Sequence, residues 1–244
     1  MQIKELTDTL NMNALYSALQ EQLINSAYDE LPFEKRVQLL LEAELTYKEN
    51  KKILRLQQQA KLHEKGASIE DIKFTPLRGL NKAIILELAG GGYIKHHQNI
   101  ILLGSTGTGK SYIAQALANK AMLQGESALY LRVPRLMQLL STARGDDEYI
   151  KLLERLKRIK VLILDDFGVS PLKASEARDL LEIVEDRTHT SSLIITSQLP
   201  IKDWHGHLHN PTIADAILDR IIHNAHKIDI EGDSQRKQDR ELKK

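Results

Sequence analysis

Apolar residues in the first quarter of the chain recur at helical spacing. Leu15, Leu19 and Leu23 form one run, and Leu41, Leu45 and others form a second run opened by Pro32 and Glu34. That period, held from Asn13 to about Lys65, predicts a small all-α module. From Gly66 to Gly79, with Ser68, Thr75 and Pro76, the period is broken and a linker is expected. Short apolar runs then alternate with longer amphipathic ones. Strands are predicted near Asn99 to Leu103, Ser127 to Arg132, Val161 to Asp165, Leu193 to Ser197 and Lys227 to Ile230, which argues for an α/β fold with a mostly parallel sheet between helices. The expected division is a helical domain at 1–66, a linker at 67–79, an α/β domain at 80–233 and a short basic tail at 234–244.

Composition narrows the picture only modestly. The 244 residues, 42% hydrophobic and 27% charged, suffice for one sizeable core and a smaller module. Lys and Arg number 34 against 33 Asp and Glu, so a net charge of +1 attracts no polyanion globally and any such contact must come from local patches. The chain has no cysteine, which excludes a disulfide framework and thiolate metal sites. Its start, MQIKELTDTLN, carries Lys4, Glu5 and Asp8 where a signal peptide needs an apolar core, and no apolar run approaches the length of a membrane span. The expectation is a soluble cytoplasmic protein with no membrane partner.

The strongest chemical signal is GSTGTGKS, Gly104 to Ser111, which satisfies G-x-x-x-x-G-K-[ST] between the strand NIILL and the helix YIAQALANKAML. Such a loop wraps the phosphates of ATP with backbone N–H groups at a helix N-terminus. Gly104, Ser105, Thr106, Gly107, Thr108, Gly109, Lys110, Ser111 and Tyr112 are therefore the nucleotide-binding candidates, with Lys110 reaching the β- and γ-phosphates and the Ser111 hydroxyl placed to ligate Mg2+. VLILDD, Val161 to Asp166, is an apolar strand ending in two carboxylates, the form of a Walker B strand. Asp165 is expected to hold magnesium through water and Asp166 to polarise the attacking water. Aspartate is one methylene shorter than the glutamate more usual there, so slow hydrolysis is expected. In SLIITSQ the polar exit offers Gln198, and Ser197 second, to sense the γ-phosphate or orient water. By pattern alone it is equally a polar turn before Pro200. Arg220 lies in the amphipathic run PTIADAILDRIIHNAH with Ile213, Ile217 and Ile221, where an arginine is ordinarily solvated or ion-paired.

Taken together these residues resemble the IstB-type transposition helper ATPases of insertion sequences, a branch of the AAA+ initiator class close to the DnaC and DnaI helicase loaders. The resemblance covers nearly the whole chain, from LPFEKRVQLLLEAELTYKENKK through GSTGTGKSYIAQALANKA, ALYLRVPRLMQLLSTARGD and LILDDFGVSPL to LIITSQLPIKDW, PTIADAILDRIIHNAH and IDIEGDSQR. It implies an AAA+ P-loop NTPase fold with a five-stranded parallel sheet of order 5-1-4-3-2 and an N-terminal helical domain. It also implies an ATP-dependent homo-oligomer on double-stranded DNA, with little sequence preference, that delivers a cognate transposase. In that setting Arg220 is the arginine finger on a neighbour's ATP, and Arg236 a weaker nucleotide-sensing candidate. Ser105 stands where the family often has proline. A replicative helicase loader and a non-hydrolysing ATP-switched DNA-binding module are the alternatives.

Two basic stripes are candidates for DNA. Arg132 and Arg135 precede one helix of the segment between the second and third strands, and Lys151, Arg155 and Arg158 fall on one face of the next at i, i+4 and i+7. By pattern alone a solvated face is favoured over a DNA contact, the charge being diluted by Asp146, Asp147, Glu148 and Glu154. The resemblance identifies the segment with the initiator-specific insertion that lines a DNA channel. Lys48, Lys52 and Arg55, with their basic neighbours, make the second stripe at the end of the N-terminal module, which fits DNA, an acidic partner surface or, equally, a charged helix kept soluble. Few aromatics are interleaved, so contacts to phosphates are expected, with strong salt dependence. The histidines of WHGHLHN and HNAH lack metal-site spacing, and His96 and His97 are expected at the surface.

Overall fold

The computed structural model describes residues 2–208, 210–232, 234 and 235. Its contacts divide the chain into two compact units, residues 1–55 and the remainder from Leu56.

The described residues of the first unit form three α-helices, α1 (Ile3–Thr9), α2 (Asn13–Ile24) and α3 (Phe33–Gln59), with a 3-10 turn at Ser26–Tyr28, and α3 runs on past the division. Polar side chains tie it together. Glu44, itself buried, accepts from the Leu15 backbone N–H at 3.0 Å in the first turn of α2, and Gln22 Nε2 donates to the Arg36 carbonyl at 3.0 Å. No apolar side chain of this unit is buried among the described residues, and Leu23, Leu41 and Leu45 of the predicted stripe are more than half exposed.

The second unit holds α4 (Lys82–Ala89), α5 (Gly92–Lys95), β1 (Asn99–Gly104), α6 (Lys110–Leu123), β2 (Ala128–Arg132), α7 (Val133–Gly145), α8 (Tyr149–Arg158), β3 (Val161–Phe167), α9 (Ala174–Arg187), β4 (Ser192–Ser197), α10 (Ile201–His207), α11 (Pro211–Ile222) and β5 (Ala225–Ile230). All strand pairs are parallel in the order β2-β3-β4-β1-β5, which is the expected 5-1-4-3-2 taken from the other edge. Alternation along each strand feeds two cores. Ile100, Leu102, Val161, Ile163 and Ile194 pack with α4 and α6, while Ile101, Leu162, Leu164, Leu193 and Ile195 pack with α7, α9 and α11 on the opposite face. Burial on both faces is why these strands read as continuous apolar runs. No helix among the described residues is long and apolar enough to cross a membrane.

Residues 67–79, expected as a linker, fall within the second unit, where Ala67, Ile69 and Ile72 are buried in the core, as are Ala60, Leu62 and Leu80 on either side. Side chains of α6 replace the backbone bonds that a helix or strand would supply here. Gln115 Oε1 accepts from Glu64 N at 2.8 Å, Asn119 Nδ2 donates to the carbonyls of Lys65 and Ala67 at 3.1 and 2.8 Å, and the Tyr112 hydroxyl accepts from Ser68 N at 3.2 Å. Isolated apolar residues packed one at a time leave no period to detect.

Candidate nucleotide-binding site

The site is assembled where β1, β3 and β4 end. Gly104 leaves β1 at φ +149°, and a Cβ there would come within 2.2 Å of the Ile230 carbonyl oxygen, so only glycine permits the turn. Gly107, at φ +85°, lies under Ser234, and its carbonyl accepts from Gln235 N at 2.9 Å. The helix α6 starts at Lys110, which turns its first N–H groups into the loop, as anion binding requires. The Lys110 ammonium donates to the carbonyls of Gly104 and Ser105, each at 2.7 Å.

Asp165 is the buried centre of the site. Its Oδ1 accepts from Ser111 Oγ at 2.7 Å and from Thr196 Oγ1, and its Oδ2 accepts from the Tyr130 hydroxyl at 2.5 Å. Burial first, and then the bond to Asp165, pushes the Tyr130 phenol well above its ordinary range, so it remains a donor. A hydroxyl and a carboxylate this close are a fitting donor pair for a hard divalent cation, so Ser111 and Asp165 are the residues that would hold magnesium. Among the described residues no group of three or more His, Asp or Glu is arranged for a metal.

Next along β3, Asp166 adopts the left-handed conformation at φ +59°, where the β3–β4 register shifts between Leu164 and Phe167. Irregularities of this kind re-aim side chains beside functional sites. Asp166 Oδ2 accepts from Arg132 Nε at 2.7 Å, and this bond holds the Arg132 guanidinium above its usual range. Arg132, a sequence candidate for DNA, thus lies against the candidate general base, with its side chain still 60% exposed. Gln198 reaches the rim of the loop, its Oε1 accepting from Thr106 Oγ1 at 2.6 Å. Ser197, the second choice there, is buried and turned away, donating to the Phe167 carbonyl at 2.7 Å.

Other candidates stand apart from this cluster. The Arg220 and Ile221 carbonyls accept from Asn99 Nδ2 at 3.3 and 3.1 Å, which puts Arg220 at the start of β1, the end opposite the loop and roughly 17 Å away for a strand of this length. Its guanidinium pairs with Glu185 at 2.8 Å. Arg236 lies outside the described residues, as does His209. Lys151, Arg155 and Arg158 line one open groove along α8, with Lys151 paired to Glu148 at 2.6 Å and Arg158 near Glu154 at 3.8 Å. Arg135 is exposed on α7 and donates to Gln138. On α3, Lys48 pairs with Glu44 at 3.4 Å, and Lys52 and Arg55 are exposed.

Tyr130 and Arg78 carried no signal in the sequence, and Thr196 lay in the polar exit of SLIITSQ without being chosen. Tyr130 and Thr196 come to Asp165 from the neighbouring strands β2 and β4, a convergence that is hidden until the register is known. Arg78, from the stretch expected as a linker, is buried and donates to the Thr108 and Lys73 carbonyls, each at 2.6 Å. Burial lowers its pKa.

Residues 5–243 match the model of the family described as IstB-like ATP binding protein. The chain belongs to that family. The insertion sequence ATP-binding protein y4pL of Sinorhizobium fredii is 42% identical over 233 residues, spanning 96% of this chain and 95% of its own. The DnaI crystal structure matches with a TM-score of 0.59 at 25% identity, over 68% of this chain and 91% of its own. AMPPCP-bound DnaA of Aquifex aeolicus matches with a TM-score of 0.61 at 19% identity, over 75% of this chain and 56% of its own, which shows the shared AAA+ fold. The chain is thus an ATP-binding protein of the IstB type, associated with insertion sequences, and its P-loop is where the family's ligand is expected to sit.

Proposed function

We propose that this IstB-type protein is a magnesium-dependent, DNA-stimulated ATPase that assembles on duplex DNA, with ATP shared between subunits, and serves its cognate transposase there. The carrying observation is the separation within one chain: Lys110, Ser111, Asp165 and Gln198 meet at one end of the sheet, while Arg220 lies at the other. A site so built has phosphate ligands, a metal carboxylate and a polar sensor, and the missing cation comes from the next subunit.

The α6 N-terminus and Lys110 orient the triphosphate, and Asp166 accepts the proton of the attacking water. Gln198 fixes that water or the γ-phosphate. Magnesium, when bound through Ser111 and Asp165, would neutralise charge developing between the β- and γ-phosphates. Arg220 of a neighbour would stabilise the transferring phosphoryl group, an effect worth about 10³-fold or more for trans-acting arginines. Arg132 supplies a route for DNA stimulation: duplex phosphates compete for its guanidinium and free Asp166 to act as base.

Subunit mixing tests the reading. Lys110→Ala and Arg220→Ala should each be nearly inactive alone, and the mixture should regain phosphate release, because intact P-loops then meet intact arginines. A mixture no better than its components would overturn the shared site. The likeness to DnaI supports a second reading, a helicase loader, and direct binding of a replicative helicase with no response to transposase would favour it.

A further inference from the structure

Arg78 closes a short 3-10 turn, Pro76–Arg78, whose proline presets its first φ and whose following Gly79 takes the left-handed conformation at φ +62°. The residue is buried and held from two sides. Its carbonyl accepts from Glu231 N at 3.0 Å just beyond β5, while its guanidinium donates from Nη1 to the Lys73 carbonyl and from Nη2 to the Thr108 carbonyl, each at 2.6 Å. Thr108 belongs to the P-loop, so a residue far outside that motif grips the loop's backbone.

The gripped peptide, between Thr108 and Gly109, is trans and planar, so its carbonyl and its N–H point in opposite directions. With the carbonyl drawn to Arg78, the Gly109 N–H faces away from it and has no acceptor among the described residues. Gly109 itself does not secure that orientation. A peptide flip changes ψ of Thr108 and φ of Gly109, and glycine, here at φ +95°, adopts the negative φ of the flipped form about as readily. Flipped, the peptide would present a carbonyl oxygen where an anion needs an N–H. The Thr108 side chain offers no control either, since its hydroxyl and its own N–H both go to the Ser105 carbonyl, at 2.9 and 3.4 Å. A Cβ on Gly109 would come within 2.9 Å of Arg78 Nη2, so the glycine also admits the guanidinium.

We propose that Arg78 is a positioning residue for phosphate binding, which holds the Thr108–Gly109 peptide in the orientation that donates its N–H to the nucleotide. The proposal rests on ATP occupying the P-loop and on nothing about hydrolysis, assembly or Arg220. Without the guanidinium the peptide samples both orientations, and apparent affinity falls with the fraction that stays competent. Loss of a hydrogen bond from a charged donor changes such a ratio by roughly ten- to a hundredfold.

Thr106–Gly107 and Thr108–Gly109 are the only Thr–Gly pairs in the chain, so protein carrying carbonyl-13C threonine and 15N glycine gives two carbonyl-edited amide signals, both from the P-loop. Thr106→Ser removes one and assigns them. In the wild type the Gly109 amide proton should move downfield as ADP is added, the mark of a bond to phosphate. In Arg78→Met the ADP-free signal should be displaced, broadened or split, and calorimetry should show ADP affinity lower by about tenfold or more at unchanged stoichiometry. Arg78→Lys keeps the charge but brings one point donor to two carbonyls, and should show a smaller form of both changes. If Arg78→Met does not fold, the lysine variant decides by the same two readings. A Gly109 amide that ignores ADP in the wild type overturns the proposal. So does unaltered ADP affinity in the folded variants, or reduced stoichiometry at unaltered affinity, which would leave Arg78 a role in fold stability alone. Absence of DNA-stimulated hydrolysis would leave these readings untouched, so the two proposals fail separately.

Discussion

Tyr130 pairs with Ile163 across the parallel β2–β3 ladder, two residues before Asp165 on the same face, and its hydroxyl therefore leans onto the carboxylate. A hydrogen bond to a charged acceptor contributes roughly 1.5–3 kcal/mol. Tyr130→Phe should accordingly raise the magnesium concentration for half-maximal ATPase activity about tenfold while leaving nucleotide affinity in chelator unchanged. An unshifted magnesium titration would remove Tyr130 from the site. Arg132 makes a sharper case, because its partner Asp166 is the candidate base. Arg132→Ala should raise the rate without DNA and shrink the stimulation by duplex, both read as phosphate release; a lower basal rate would show instead that Arg132 positions Asp166. The contiguous parts of this site were legible, since a phosphate cradle needs its glycines, lysine and serine in one short run. Tyr130, Thr196 and Arg78 were not, because only strand register or loop packing brings them near.

At the scale of elements, strands were the best-read features: double-sided burial makes each an uninterrupted apolar run. Residues 67–79, expected as a linker, show no period for the opposite reason, their apolar residues being single and their backbone bonded to side chains of α6. Asn119 supplies two of those bonds, so Asn119→Ala should cost about 1–3 kcal/mol, measured from the urea midpoint. Helix α8 bears on partners rather than stability. Its stripe of Lys151, Arg155 and Arg158 shares one groove, although acidic neighbours pair with part of it. If all three meet duplex phosphates, the triple alanine variant should flatten the slope of log affinity against log salt by roughly 2–3 units. An unchanged slope would leave the stripe as a solvated face.

For the whole molecule, Lys110 and Arg220 lie at opposite ends of one sheet, and if the site is shared between subunits ATP would report assembly. Under the shared-site reading, sedimentation with duplex DNA and a non-hydrolysable analogue should show a species larger than the monomer, lost in Lys110→Ala. A monomer under those conditions would exclude it. The N-terminal unit adds a second expectation, because it buries no apolar side chain of its own among the described residues and leaves Leu23, Leu41 and Leu45 uncovered. Apolar faces of that kind are normally met by another surface.

The bonds between α6 and residues 64–68 also dictate how relatives could exchange parts. A chimera joined at a point suggested by loss of helical period, near residue 66, would pair one parent's Gln115 and Asn119 with the other parent's Glu64 and Lys65 upstream of the join. Recombination that keeps both halves functional should instead cross over close to Leu56, so that the segment alongside α6 is inherited together with the P-loop it borders. In natural mosaics of this family, breakpoints should avoid the interval from Ala60 to Leu80 and gather within α3.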